Sequence, residues 1–140
     1  MPTDSEAAAS PPTTMPAIRR SMMPRDTNAL GTIFGGVILA EIDLAAGIEA
    51  LEHCNHVFVT VAIDQVDFKQ PVCVGDLVSF HTETERIGRT SIRIQVEVWA
   101  LKHRGDGEQV HVTSACVTMV SVDDEFRPKP IPRPTRKERA

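Results

Sequence analysis

The sequence predicts an α+β fold, one long central helix wrapped by a single curved antiparallel sheet of about five strands. Three observations carry this. Residues 37–53 are an unbroken stretch rich in Ala, Leu, Ile and Glu without proline, a helical composition. From Val57 onward the apolar residues change to a period of two. The segments that follow are joined by turns too short for the crossover that parallel neighbours need. A nearly all-apolar helix and a curved sheet bury each other when the sheet wraps round the helix. A chain of 140 residues suits one such domain.

In chain order, residues 1–16 are Ala-, Ser-, Thr- and Pro-rich with no apolar periodicity, and read as a disordered N-terminal segment. A short extended piece, Ala17 to Met23, precedes a turn at Pro24-Arg25-Asp26. A polar, glycine-containing loop from Asp26 to Gly36 leads into the helix, predicted over 37–53. Val57, Val59, Val61 and Ile63 then alternate, after which the phase slips so that Asp64, Val66 and Phe68 line up, which predicts a bulge near Gln65. Pro71 and Gly75-Asp76 mark a turn, and Leu77 to Arg86 reads as a strand. Ile92, Ile94, Val96, Val98 and Ala100 alternate with Arg93, Gln95, Glu97 and Trp99, a half-buried strand. Arg104-Gly105-Asp106-Gly107 is a strong turn signal, and Val110 to Val122 is the last strand. The folded domain is thus 17–126, followed by a tail over 127–140.

Composition excludes several classes. No apolar run reaches the ~18 residues of a membrane span, and no secretory h-region is visible near Asp4 and Glu6. Three cysteines, none in a CxxC, read as reduced thiols of a cytoplasmic protein, and the five histidines show no metal-ligand spacing. Net charge is −4, unevenly placed. The last fourteen residues hold six of the fifteen Lys and Arg and one of the nineteen Asp and Glu, leaving +5 there and −9 elsewhere. An acidic body argues against nucleic-acid binding. The tail reads as a solvated Pro-rich end or as a contact for polyanions, including cofactor phosphates.

The helix holds the informative residue. Glu41, Glu49 and Glu52 share one edge of the helical wheel, whereas Asp43 lies on the other side among Leu39, Ala46, Gly47 and Ala50. A carboxylate on a face that ought to be packed must be hydrogen-bonded, paired or functional. At the helix start, Gly35-Gly36 lets a ligand approach backbone N–H groups that favour developing negative charge, as in an oxyanion hole. The same pair also suits a plain turn. Gly36 and Asp43 are seven residues apart, about 10.5 Å along the axis, too far to meet one reacting centre from the same helix. A second copy running antiparallel sets its Asp43 against this chain's Gly36, so the spacing hints at a site shared across a two-fold interface.

With these residues in hand, the chain resembles the hotdog-fold acyl-CoA thioesterases, most closely the short bacterial YciA-like acyl-CoA hydrolases. The resemblance rests on Asp26-Thr27-Asn28-Ala29-Leu30-Gly31-Thr32-Ile33-Phe34-Gly35-Gly36 with Ile42-Asp43, on Phe68-Lys69-Gln70-Pro71-Val72 with Gly75-Asp76, and on Gly88-Arg89-Thr90-Ser91 with Val96-Glu97-Val98. It implies hydrolysis of acyl-CoA to a free acid and CoA, with no cofactor of its own, since CoA is part of the substrate and a product. It implies a homodimer as the minimal active unit, assembling into a hexamer, a trimer of dimers. Carried over by position, Asp43 is the catalytic carboxylate, as general base or as nucleophile. Asn28 is its polar partner from the facing subunit, and the Gly36 N–H polarises the thioester carbonyl. Gly35, Arg89, Thr90 and Ser91 fall in the substrate-binding segments, with Lys69 and Lys102 as further phosphate candidates; both lysines also read as ordinary surface residues. Phe34 stands where some relatives carry histidine, and Lys69-Gln70 where many have arginine before the proline.

Two rivals differ in class. A hotdog hydratase needs a histidine beside the carboxylate, and the loop and helix face hold none; His53 and His56 lie at or beyond the far end of the helix. A non-catalytic acyl-CoA-binding sensor on the same fold has no use for an intact Asn28/Asp43 pair.

Overall fold

Ile92, Ile94, Val96, Val98 and Ala100 are fully buried, while Arg93, Gln95 and Glu97 between them stay partly exposed. That alternation makes one face of the central strand the floor of the core. The computed structural model describes residues 10–132. Its elements are β1 (Ile18–Ser21), one turn of 3-10 helix (Pro24–Asp26), α1 (Gly35–Leu51), β2 (Val57–Asp64), β3 (Leu77–Ile87), β4 (Ser91–Leu101) and β5 (Gln109–Val122). All five strands join one antiparallel sheet in the order β1-β3-β4-β5-β2. The sheet curls around α1, which packs chiefly on β3 and β4.

The helix begins two residues earlier than the composition suggests, because Gly35 and Gly36 already form its first turn. Its sheet-facing side is Ile38, Ile42, Ala45, Ala46 and Ala50, all essentially without solvent exposure. Two of the three wheel-edge carboxylates are bound to the sheet. Glu41 accepts from Arg20 of β1 at 3.2 Å, and Glu49 accepts from Thr82 and Thr84 of β3 at 2.9 and 2.6 Å. The opposite side is apolar too. Leu44 is 59% exposed and Ile48 40%, and Val57 and Val61 of β2 are exposed as well. An apolar stripe of this kind is unusual on a lone domain.

One sequence expectation needs correction, and the two chain ends are described only in part. The phase slip near Gln65 is not a bulge there. The ladder between β2 and β5 shifts between Thr60 and Ala62, so the extra residue is Val61, and Gln65 (φ 57°) ends the strand in the left-handed region. Residues 10–16, assigned to a disordered segment, run without regular structure, with Pro11, Pro12 and Pro16 half-buried; residues 1–9 lie outside the described residues. The first part of the tail is exposed but docked, through Ile131. Pro128 bridges to Val122, the Lys129 N–H donates to the Ser121 carbonyl at 2.8 Å, and Ile131 is buried in the core. The tail beyond Pro132 lies outside the described residues.

Candidate active site

Two segments position the groups singled out in the sequence: the loop before α1 and α1 itself. The loop is clamped at its base. Asp26, buried, accepts from the Met23 N–H (2.9 Å) and the Arg20 guanidinium (2.8 Å), and its own carbonyl accepts from the Phe34 N–H (2.8 Å). The Met23 N–H and the Arg20 charge outweigh burial and hold the Asp26 carboxyl below its usual range. Arg20 also reaches Glu41, so one guanidinium joins β1, the loop and α1.

Asn28 organises the loop tip. Its Oδ1 accepts from the Leu30 N–H at 2.9 Å and the Thr32 N–H at 3.2 Å, its Nδ2 donates to the Thr32 hydroxyl at 3.0 Å, and Gly31 takes φ +85° to close the turn. That is an Asx-type turn. An amide NH2 has two protons, and only one has an acceptor among the described residues.

At the helix start, Phe34 is the N-cap residue and supplies no side-chain cap. Among the described residues the Gly35 and Gly36 N–H groups find no acceptor, since the first non-helical bond in this turn is from Val37 to the Phe34 carbonyl at 3.0 Å. Two donors at the positive end of a helix dipole are thus left open. Glycine at 36 has a further reason. A Cβ there would sit 2.5 Å from Cε1 of Phe34, so the ring lies against the backbone only because no side chain intervenes. Gly35 faces the Phe68 ring, and beside it a cleft of about 270 Å3 is lined by Ile33, Ile38, Phe68, Lys69, Pro71 and Val72.

Asp43 is half-buried rather than enclosed, between Ala46 and Ala50 of the packed face and the exposed stripe. Its Oδ1 accepts a short hydrogen bond from the Thr60 hydroxyl of β2. The bulge at Val61 directly follows Thr60, the setting in which bulges commonly re-aim a side chain. Sequence reasoning missed Thr60. The available signal was a lone hydroxyl within the apolar run of β2. Within one protomer no hydrogen bond joins Asp43 to Asn28 or to Gly36.

The remaining candidates separate. Arg89, Thr90 and Ser91 form the β3–β4 turn, closed by the Gly88 N–H on the Ser91 carbonyl at 2.8 Å, with Arg89 exposed and in no ion pair among the described residues. Lys69 is exposed at the rim of the cleft, with its N–H on the Val112 carbonyl at 2.8 Å. Lys102 is not a free cation. Its Nζ donates to Asp76 Oδ2 at 2.6 Å and to the Pro71 carbonyl at 3.3 Å. Asp76 is buried and also accepts from the Cys73 and His103 N–H groups, both at 2.9 Å. Burial raises its pKa, but these donors and the Lys102 charge prevail and keep it below the usual carboxylate value. The pair staples the loop before β3 to the end of β4.

Residues 30–105, more than half of the chain, match the model of the Thioesterase superfamily. An uncharacterized acyl-CoA thioester hydrolase of Haemophilus influenzae is 42% identical over 123 residues, which cover 86% of this chain and 80% of that protein. The acyl-CoA thioester hydrolase YciA of Salmonella typhimurium is 38% identical over 117 residues, 82% of this chain and 88% of that one. Among solved structures, Cj0915 of Campylobacter jejuni, a hexameric hotdog fold thioesterase, superposes with a TM-score of 0.80 at 42% identity, covering 85% of this chain and 91% of its own. One helix held in a curled five-stranded sheet, a glycine pair opening that helix and this level of identity agree, and the chain belongs to the Thioesterase superfamily, among the YciA-like acyl-CoA thioester hydrolases of the hotdog fold.

Proposed function

We propose that this chain hydrolyses the thioester of acyl-CoA to a free carboxylic acid and CoA, in a site shared between two subunits. The observation that carries the reading is the pairing on one helix of unoccupied first-turn N–H groups with a half-buried carboxylate about 10.5 Å further along. The Gly36 N–H of one subunit polarises the thioester carbonyl, and Asp43 of the facing subunit acts on it with Asn28 as polar partner. As general base, Asp43 takes a proton from water as the water oxygen bonds to the carbonyl carbon. The tetrahedral oxyanion rests on the helix N-terminus, and collapse breaks the C–S bond, the thiolate leaving with the proton. As nucleophile, the carboxylate instead bonds to the carbonyl carbon and the C–S bond breaks to release the CoA thiolate, leaving a mixed anhydride; water then opens it to the free acid and the restored carboxylate, its proton balancing the thiolate. Thr60 orients the carboxylate. The residues need no cofactor of their own.

The apolar stripe of Leu44 and Ile48 and the exposed Val57 and Val61 support a second copy of the chain as their cover. The outer edge of β2 has no strand beside it among the described residues. A homodimer is the minimal active unit, and a hexamer built as a trimer of dimers is the assembly in keeping with the Campylobacter relative. Arg89, Thr90, Ser91 and Lys69 bind the nucleotide end; Lys102, committed to Asp76, does not.

Thiol release from acyl-CoAs of short to long and aromatic acyl groups tests the activity. Asp43→Asn keeps the shape and removes the base, and is expected to lose at least ~100-fold in turnover. Binding of acyl-CoA by the wild type with no thiol released would favour a sensor instead. Mixing tests the shared site. Inactive Asn28→Ala and inactive Asp43→Asn chains, allowed to exchange subunits, should regain about a quarter of wild-type activity, because one of the two sites in each mixed dimer is intact. No regain means that each site lies within one chain.

A further inference from the structure

Two features beside the open N–H groups of α1 are unused by the hydrolysis itself: the exposed ring of Phe68 and the missing side chain at Gly35. Phe68 is 45% exposed, yet its backbone is pinned on both sides. The Asp67 carbonyl accepts from the buried Thr113 hydroxyl at 2.9 Å, and the Lys69 N–H donates to the Val112 carbonyl at 2.8 Å. Only the side chain is left to adjust. It borders the cleft of about 270 Å3, whose floor is Ile33, Ile38 and Val72, each 6% exposed or less. The Ile33 N–H donates to the Val72 carbonyl at 2.8 Å, so the two sides of that floor are tied together. Gly35 borders both the cleft and the open N–H groups. A Cβ placed on it would meet nothing nearer than the Phe68 ring, at 3.8 Å, an ordinary contact, and its φ is not in the left-handed region. The fold therefore accepts a side chain there, and alanine is the better helix former. What a side chain would narrow is the passage between the N–H groups and the cleft. At Gly36 the Phe34 ring already lies against the backbone, so the glycine that leaves room is Gly35.

We propose that the acyl chain of the substrate runs from the carbonyl on the Gly36 N–H, over Gly35, into the cleft beside Phe68, and that Phe68 with Gly35 selects acyl groups by length and bulk. The inference rests on the acyl-CoA reading above and adds the acyl class. The pantetheine arm on the other side of the carbonyl carries two amides, for which a floor of three aliphatic side chains supplies no partner. A cavity of about 150 Å3 takes up benzene, so a cleft of about 270 Å3 takes about ten carbons, a medium-length chain or a small aryl group. The test compares wild type, Phe68→Ala and Gly35→Ala in the full assembly. Calorimetry measures binding of CoA and of S-alkyl-CoA thioethers, which have no ester to cleave; kcat/KM is measured for acyl-CoAs from acetyl to palmitoyl, and light scattering gives the mass of the assembly. In the wild type, affinity and kcat/KM are expected to rise about two- to four-fold per methylene up to about ten carbons and then level off. Phe68→Ala should lower the octanoyl-to-acetyl ratio of kcat/KM about ten-fold. Gly35→Ala should do the same with a thermal midpoint at or above that of the wild type, and CoA itself should bind both variants as it binds the wild type. A ratio that moves in neither variant overturns the proposal. So does weaker binding of CoA itself, which would put the pantetheine arm in the cleft, or a loss of assembly mass in Phe68→Ala, which would make the ring a subunit contact. Failure of the activity reading looks different: no thiol released from any ester, with thioether affinity still rising with chain length.

Discussion

Asp43 and Asp76 are both carboxylates drawn into a largely apolar molecule, and they are provided for in opposite ways. Asp76 is saturated, with two backbone N–H groups and the Lys102 ammonium around an almost inaccessible side chain. Asp43 has one hydroxyl partner, sits half in the open, and is in no ion pair among the described residues. Three donors on a buried carboxylate make it a joint, held in its charged form by fixed partners. Sparse provision leaves Asp43 free to accept a proton. Burial and the count of donors separate the two together.

Breaking each carboxylate in turn sharpens the contrast. The largest effect is expected from Asp76→Ala, which leaves Lys102 and two N–H groups without their acceptor and should cost about 3–5 kcal/mol of stability, read from denaturant unfolding. Asp43→Asn should shift stability by about 1 kcal/mol or less while removing the turnover described above, some 2.7 kcal/mol in activation free energy for a ~100-fold loss. An Asp43 variant that unfolds while an Asp76 variant stays folded but inactive would invert the comparison. Next, if Asp43 acts as proposed, Thr60→Val should lower kcat about ten-fold with little change in KM, and Thr60→Ser should restore it, through the hydroxyl that bonds the carboxylate.

Acid provides the smallest and most graded test. Asp26, Asp76 and Asp123 have folded pKa values lowered from 3.8, so the stability they contribute is complete above about that pH and is lost as the pH falls through the lower folded values. Asp76→Asn should make that final loss shallower. A separate, shallower decline is expected to begin below 6.5. His81 is held below that value first by burial, then by Arg19, against the pull of the Thr14 carbonyl, so the unfolded chain binds its proton first. His81→Gln should flatten the thermal midpoint between about pH 6.5 and 5.

How far the sequence reveals this arrangement depends on the range of the signal. Period and turn residues are local, so every strand and the helix are legible to within a few residues, and Ile92 to Ala100 states its buried face outright. The bulge at Val61 is not legible, because the shift is defined against β5, fifty-odd residues away, and the visible slip in the pattern belongs to Gln65 leaving the sheet. Asp43 stands out because a helical wheel is also local. Its partner Thr60 depends on how the helix lies across β2. The pairing of Lys102 is hidden for the same reason: nothing near position 102 announces Asp76, 26 residues earlier. Ile131 is an apolar residue within a Pro-rich basic stretch, and only the fold shows that it closes the core.

The strand order has a consequence during synthesis. β1 has to wait for β3, and β2 for β5, while α1 emerges early with apolar side chains on both faces. Until Gln109–Val122 has left the ribosome, neither β2 nor one flank of the helix has its cover, and Ile131 seals the core only nine residues after that strand ends. The nascent chain therefore carries a sticky helix through most of its translation, so its yield should respond to chaperone supply and to growth temperature more sharply than the stability of the finished protein would suggest.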